Sequence, residues 1–257
     1  MHSTNKIADA DQTFQDYTYE ATSTELLNNK KSAYSNRTRI IATGAVFLAG
    51  LSATQAAVVI STDATNETYE VSTTDLLQGI VPTNSGTGSL GTGNPGDEFA
   101  TSNPAVLTDG IYGSANPNQD QPPDQSTLAV GDNVILDFTI AKTGPGISLK
   151  SVTSYSSWQD NGRNANRFTL LYSTVADPTT FIPLDIVNFD PGEGVDPEEG
   201  SAPSNTRVTI TEDTTGVLAK GVGMLRFDFG PIGVGNEMVG QENGFAGYRE
   251  FEATAVP

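Results

Sequence analysis

The stretch richest in groups that could do chemistry runs from Tyr155 to Phe168 and reads YSSWQDNGRNANRF. It holds the only tryptophan of the 257 residues, Trp158, followed by Asp160, Asn161 and Arg163. An indole face stacks on the CH groups of a sugar ring, while planar carboxylate, amide and guanidinium groups hydrogen-bond its hydroxyls. That chemistry is recognition, which makes Trp158, Asp160, Asn161 and Arg163 the candidate ligand-binding residues. The same segment also admits a structural role, with Trp158 capping the core and Arg163 paired to Asp160 to hold the loop. An exposed indole face favours binding; a buried one favours a spacer without a ligand of its own.

Catalysis has less to draw on. The chain has no cysteine, which excludes thiolate nucleophiles, disulfides and cysteine-built zinc sites. Its single histidine is His2, ahead of the expected export cleavage point, so histidine bases and serine triads are missing from the mature part. Carboxylates are plentiful, and a two-carboxylate glycoside hydrolase is the enzymatic alternative, but its signature is a separation in space. We expect a non-enzymatic protein with no catalytic residues. The formal net charge of −18 presents an acidic field to any nucleic acid, so no nucleic-acid partner is expected.

Short β-branched and aromatic stretches must position these groups. Asn133–Ala141 alternates Val134, Leu136, Phe138 and Ile140 with polar neighbours, the period-2 pattern of a strand with one buried face. Leu225, Phe227 and Phe229 repeat it. Further strands are predicted over Ile147–Tyr155, Arg167–Thr174, Phe181–Phe189, Thr206–Thr211 and Tyr248–Ala255, punctuated by Gly, Pro, Asn and Asp. The expected fold is all-β, an antiparallel sandwich or jelly roll, with Leu136, Phe138, Leu170, Leu225, Phe227 and Phe251 in the core. Asp75–Gly79 could begin a helical turn.

Two polar segments interrupt this pattern. Gly86–Gly91 (GTGSLG) matches the dinucleotide-binding spacing, but Gly93, Pro95 and Gly96 follow at once where a helix would have to open. We read 84–104 as a flexible loop. Asp190–Gly200 carries five carboxylates in DPGEGVDPEEG without the ligand spacing of an EF-hand, so a solvated acidic loop is expected, with a weak calcium site as the alternative.

The N-terminal segment differs in charge. Residues 1–57 contain five basic and five acidic residues, so the whole negative charge lies in 58–257. Arg37 and Arg39 precede the apolar run Ile40–Leu51, too short to span a bilayer comfortably, and small residues follow at Thr54 and Ala56. We expect a leader with a signal peptide over 1–57, a single domain over 58–257, and secretion to the exterior or cell surface; a membrane anchor is the alternative.

Several segments together resemble the galactose-binding-like, discoidin-type jelly roll. They are Leu107-Thr108-Asp109-Gly110, the Trp-x-Asp-x-Gly-Arg segment with Phe168–Ser173, the strand Leu225–Phe229, and the closing Ala246-Gly247-Tyr248-Arg249-Glu250-Phe251-Glu252. The likeness covers roughly residues 68–255 and is similar to domains of secreted planctomycete and verrucomicrobial proteins, many of which end in a PEP-CTERM sorting tail. Ala255-Val256-Pro257 would fit the residues just before such a tail, whose Pro-Glu-Pro signature this sequence does not include. The resemblance implies a structural Ca²⁺ between Asp109 and Glu250. It also implies a bacterial module that binds polysaccharide or glycan on a surface or in a matrix. Without that resemblance, Asp109 simply begins a turn before Gly110.

Overall fold

A computed structural model describes residues 57–91, 103–113, 127–158, 163–191, 203–231 and 245–257. The chain divides into residues 1–53, all outside that set, and a unit of residues 54–257. The latter is an all-β antiparallel sandwich, as its alternating sequence predicts.

Among the described residues its strands are β1 (Val58–Thr65), β2 (Thr83–Asn84), β3 (Leu90–Gly91), β4 (Leu128–Gly131), β5 (Ile135–Thr139) and β6 (Ile147–Ser157). They continue with β7 (Asn166–Thr174), β8 (Ile182–Phe189), β9 (Asn205–Glu212), β10 (Ala219–Asp228) and β11 (Phe245–Ala255). A 3-10 turn at Pro104–Thr108 is capped by the Asn103 side chain, which accepts from Ala105 N. Every pairing is antiparallel.

One layer runs β2-β5-β10-β7-β8 and the other β1-β9-β6-β11-β4-β3. They join at a corner where the first residues of β10 pair with β6 before the strand shifts register and continues between β5 and β7. Side chains that alternate inward from the two layers meet face to face. Phe227 of β10 lies 4.3 Å from Phe251 of β11 by ring centroids, and Phe138 of β5 lies 5.9 Å from Phe251. All six predicted core residues are fully buried. Each such apolar side chain stabilises the fold by about 1.5–3 kcal/mol relative to exposure.

One expectation is corrected. Residues 85–91 are not a loose loop: Ser85 N donates to Ile135 O, and Thr87 N and Gly88 N both donate to Asn133 O. A Cβ on Gly86 would stand 2.3 Å from Asn133 O, and one on Gly88 would stand 2.2 Å from Asp132 O, so close backbone approach explains these glycines. Asp75–Gly79, on which the sequence forced no helix, forms turns, with the Asp75 carboxylate accepting from Leu77 N at 2.7 Å. Residues 92–102, the acidic stretch beyond Pro191 and the leader through Ala56 lie outside the described residues.

Candidate functional site

Register places the end of β6, the start of β7, the end of β8, the start of β9, the end of β10 and the start of β11 at one end of the sandwich. Trp158 and Arg163 sit there. Trp158 is 6% exposed, and one face of its indole lies on Gly247, where a Cβ would come within 2.4 Å of Cε3. The Arg163 guanidinium lies over the ring at 4.8 Å from its centroid, and Arg163 is itself fully buried. The indole is thus wrapped, with no broad face left for a sugar ring. Asp160 and Asn161 lie outside the described residues.

Beneath this stack the layer is unusually polar. Ser154 Oγ donates to Asn166 Oδ1 at 2.6 Å, Asn166 Nδ2 donates to Thr206 Oγ1 at 2.7 Å, and Thr206 Oγ1 donates to Asn164 O at 2.6 Å. Asn164 Nδ2 reaches Pro203 O, Trp158 N donates to Ser204 O, and Gly247 N donates to Arg163 O at 2.7 Å. Hydrogen bonds of such a buried network favour one arrangement of the backbone, although Asn164 Oδ1, Ser156 Oγ and Ser157 Oγ have no hydrogen-bond partner among the described residues. Here it fixes both ends of the connection between β6 and β7.

A second cluster forms where β11 meets the segment before β2. Pairing shifts register between Tyr248 and Glu250, so that Tyr248 and Phe251, three apart, both face the core. Glu250 and Glu252 then point to the outer side, under residues 72–79 and the turn at Asp109-Gly110. Gly110, at φ +74, turns its N–H onto Glu250 Oε2 at 3.2 Å. Glu250 is fully buried, and its Oε1 has no hydrogen-bond partner among the described residues. Burial, then the nearby Asp109 charge, pushes its carboxyl up to about 9. Asp109 is raised too, mainly by burial, although its Oδ1 accepts from Ile111 N at 2.9 Å.

The structure therefore brings Asp109 and Glu250 together, and it adds residues that sequence reasoning missed. Gln78 Oε1 and Asp75 Oδ2 are likewise buried without a partner among the described residues. Glu252 accepts from Ser72 N and, at 3.1 Å, from Tyr155 OH. Leu76 N donates to Ala253 O at 2.8 Å and Gly79 N to Thr108 O at 2.7 Å, docking the segment onto β11 and the 3-10 turn. No local signal ties Gln78 to a residue 172 positions later, because the contact is made by topology. Among the described residues no group of three or more His, Cys, Asp or Glu is arranged to hold a metal ion, so further ligands would be amide or backbone oxygens.

At the far end, a groove of about 230 Å³ is lined by Thr139, Lys142, Ser173, Pro178 and Met224 among others, with no carboxylate in its wall. Among the described residues no helix is long and apolar enough to cross a membrane.

No family model and no curated protein matches the chain. Several solved structures resemble it, two of which follow. CBM32-3 from a family 31 glycoside hydrolase of Clostridium perfringens is 13% identical, with 59% of this chain and 81% of that chain covered and a TM-score of 0.33. A histidine mutant of the lectin binding domain of Lectinolysin complexed with Lewis b is 13% identical, with 73% and 99% covered and a TM-score of 0.37. Neither likeness is close enough to carry a conclusion about this chain.

Proposed function

We propose that this protein is an exported, non-catalytic carbohydrate-binding module whose recognition surface is the connection between β6 and β7. The observation that supports it most is the buried polar network under Trp158. Burying arginine and asparagine side chains is costly in stability, and a fold spends that where a loop must be held in one shape. In this reading Trp158 and Arg163 act as positioning residues, while Asp160 and Asn161, which lie between them in sequence, make the contacts to sugar hydroxyls. Each neutral hydrogen bond nets only about 0.5–1.5 kcal/mol, so single sugars bind weakly and retention needs repeated units.

Asp109 and Glu250 fit a hard divalent cation, and we assign them calcium. Oxygen is the only donor type present, and an orphaned buried carboxylate oxygen is the feature a cation would satisfy. Calcium bound there would tie the turn before β4 to the last strand.

The experiment is retention of the full chain on immobilised neutral polysaccharides. Retention by the wild type, lost in Asp160→Ala and Asn161→Ala with melting temperature unchanged, is the expected result. The wrapped indole favours a second reading, a surface spacer with no ligand. Absence of retention across a broad glycan panel would establish that reading instead.

A further inference from the structure

We propose that the groove at the far end of the sandwich binds a small monocarboxylate built on one apolar ring, with Ser173 and Lys142 holding the carboxylate and Met224 and Pro178 packing on the ring. None of its lining residues belongs to the β6–β7 connection or to the Asp109 and Glu250 cluster. The inference is independent of the sugar and calcium readings.

The groove lies on the outer face of the layer that holds β5, β10 and β7. Met224 pairs with Thr139 of β5 on one side and with Ser173 of β7 on the other, and all three line the groove. In the next row Leu225 pairs with Phe138 and Tyr172, and these three pack in the core instead. Residues opposite one another across a ladder share a face, so Ser173 points outward with Met224, to the groove side. Ser173 is nonetheless fully buried, which places it at the floor, and its Oγ has no hydrogen-bond partner among the described residues. A buried hydroxyl without a partner is unfavourable, and a ligand oxygen in the groove is the acceptor that would relieve it.

Size and charge select the ligand. An apolar cavity of about 150 Å³ takes up benzene, so one of about 230 Å³ holds a ring with a short polar substituent. Lys142 is the only charged residue of the wall; it is exposed and makes no ion pair with a carboxylate among the described residues. Asp177, next to Pro178, turns its Oδ1 onto Thr179 N, Thr179 Oγ1 and Thr180 N within its own turn. An ammonium at the mouth and a hydroxyl donor at the floor suit a carboxylate. The Met224 thioether packs well against the edge of an aromatic ring. The wall holds no aromatic, side-chain amide or carboxylate group, with which a protein orients a sugar, so a hexose is a poor fit.

Benzoate is the probe, and Met224, one of three methionines in the chain, is the reporter. Full-length protein with isotope-labelled methionine methyl groups would be titrated with benzoate, benzyl alcohol and galactose, and Met224→Leu would assign the resonance. Salt of about 0.15 M limits the reach of the acidic bulk field to about 8 Å. Benzoate should shift the Met224 methyl saturably, and benzyl alcohol should do so more weakly. Ser173→Ala is expected to weaken benzoate by about tenfold or more, the worth of a hydrogen bond to a charged group. The same variant should melt no lower than wild type, because the lost hydroxyl has no protein partner. Lys142→Gln should weaken benzoate and leave benzyl alcohol unchanged, and Lys142→Arg should retain benzoate.

No shift of the Met224 methyl with benzoate, or a shift that Ser173→Ala and Lys142→Gln both leave unchanged, would overturn the proposal. So would a tighter response to galactose, or equal responses to benzoate and benzyl alcohol in the wild type. A lower melting temperature of Ser173→Ala without ligand would overturn the role of its hydroxyl, by showing that the hydroxyl is bonded within the protein.

Discussion

Trp158 shows how a residue chosen for its chemistry can be held for its shape. Its indole lies between the Gly247 backbone and the Arg163 guanidinium, and both contacts exclude water. Trp158→Ala should therefore cost about 3–5 kcal/mol, the range for deleting a large buried aromatic. Gly247→Ala approaches the same packing from the other side: the new methyl would meet the indole and Ser157 O at 2.7 Å, and overpacking of that kind costs about 1–3 kcal/mol. Urea denaturation of both variants checks this. A Trp158→Ala protein as stable as wild type would mean that the indole is not packed as described and would return it to the recognition surface. Arg163 follows the same logic, because its fully buried guanidinium braces the ring rather than reaching solvent.

At the scale of elements, the β9–β10 hairpin depends on one carboxylate. Glu212 accepts from Thr214 N at 2.7 Å, from Thr215 N and Thr215 Oγ1 at 2.6 Å each, and from Val217 N at 3.4 Å. These donors, led by the Thr215 hydroxyl, lower its carboxyl from 4.5 to about 2. A depressed folded value means the unfolded chain binds more protons, so the stabilisation is full above about 4.5 and is lost as pH falls toward about 2. Melting temperature should decline across that window in wild type and less steeply in Glu212→Gln. Parallel curves would show that the hairpin does not depend on this ionisation. Strands with strong alternation, such as β5 and β10, were legible from sequence because the period-2 signal is local. β1, β4 and the short β2 and β3 were not: Val58–Thr65 pairs on one side only among the described residues and buries little, and β2 and β3 are two-residue pairings joined by a segment in which Gly86 and Gly88 approach the backbone of residues 132–135 closely. Asp109 and Glu250 were legible as a pair only through a family resemblance, while the Gln78 segment, which docks by backbone hydrogen bonds, left no sequence pattern.

For the whole molecule the deciding quantity is charge. All of the −18 lies beyond residue 57, and three arginines among the described residues are paired with carboxylates: Arg167 with Asp190 at 3.1 Å, Arg207 with Asp63 at 3.0 Å, and Arg226 with Asp137 at 2.7 Å. Anionic polymers therefore approach against the summed field, which acts over roughly a Debye length, about 30 Å at 0.01 M salt and 8 Å at 0.15 M. If the module binds polysaccharide, it should select neutral chains over sulfated or uronate-rich chains of similar backbone at low salt, and the difference should shrink as salt rises. A calcium ion at Asp109 and Glu250, if bound, would add only a local positive charge and would not invert the field. Retention on paired neutral and sulfated columns, from 20 mM salt upward, measures this directly. Stronger retention on the sulfated polymer at low salt would contradict it. Equal retention at every salt concentration would show that the contacting surface is screened from the acidic bulk, and the charge-selection argument would fail with it.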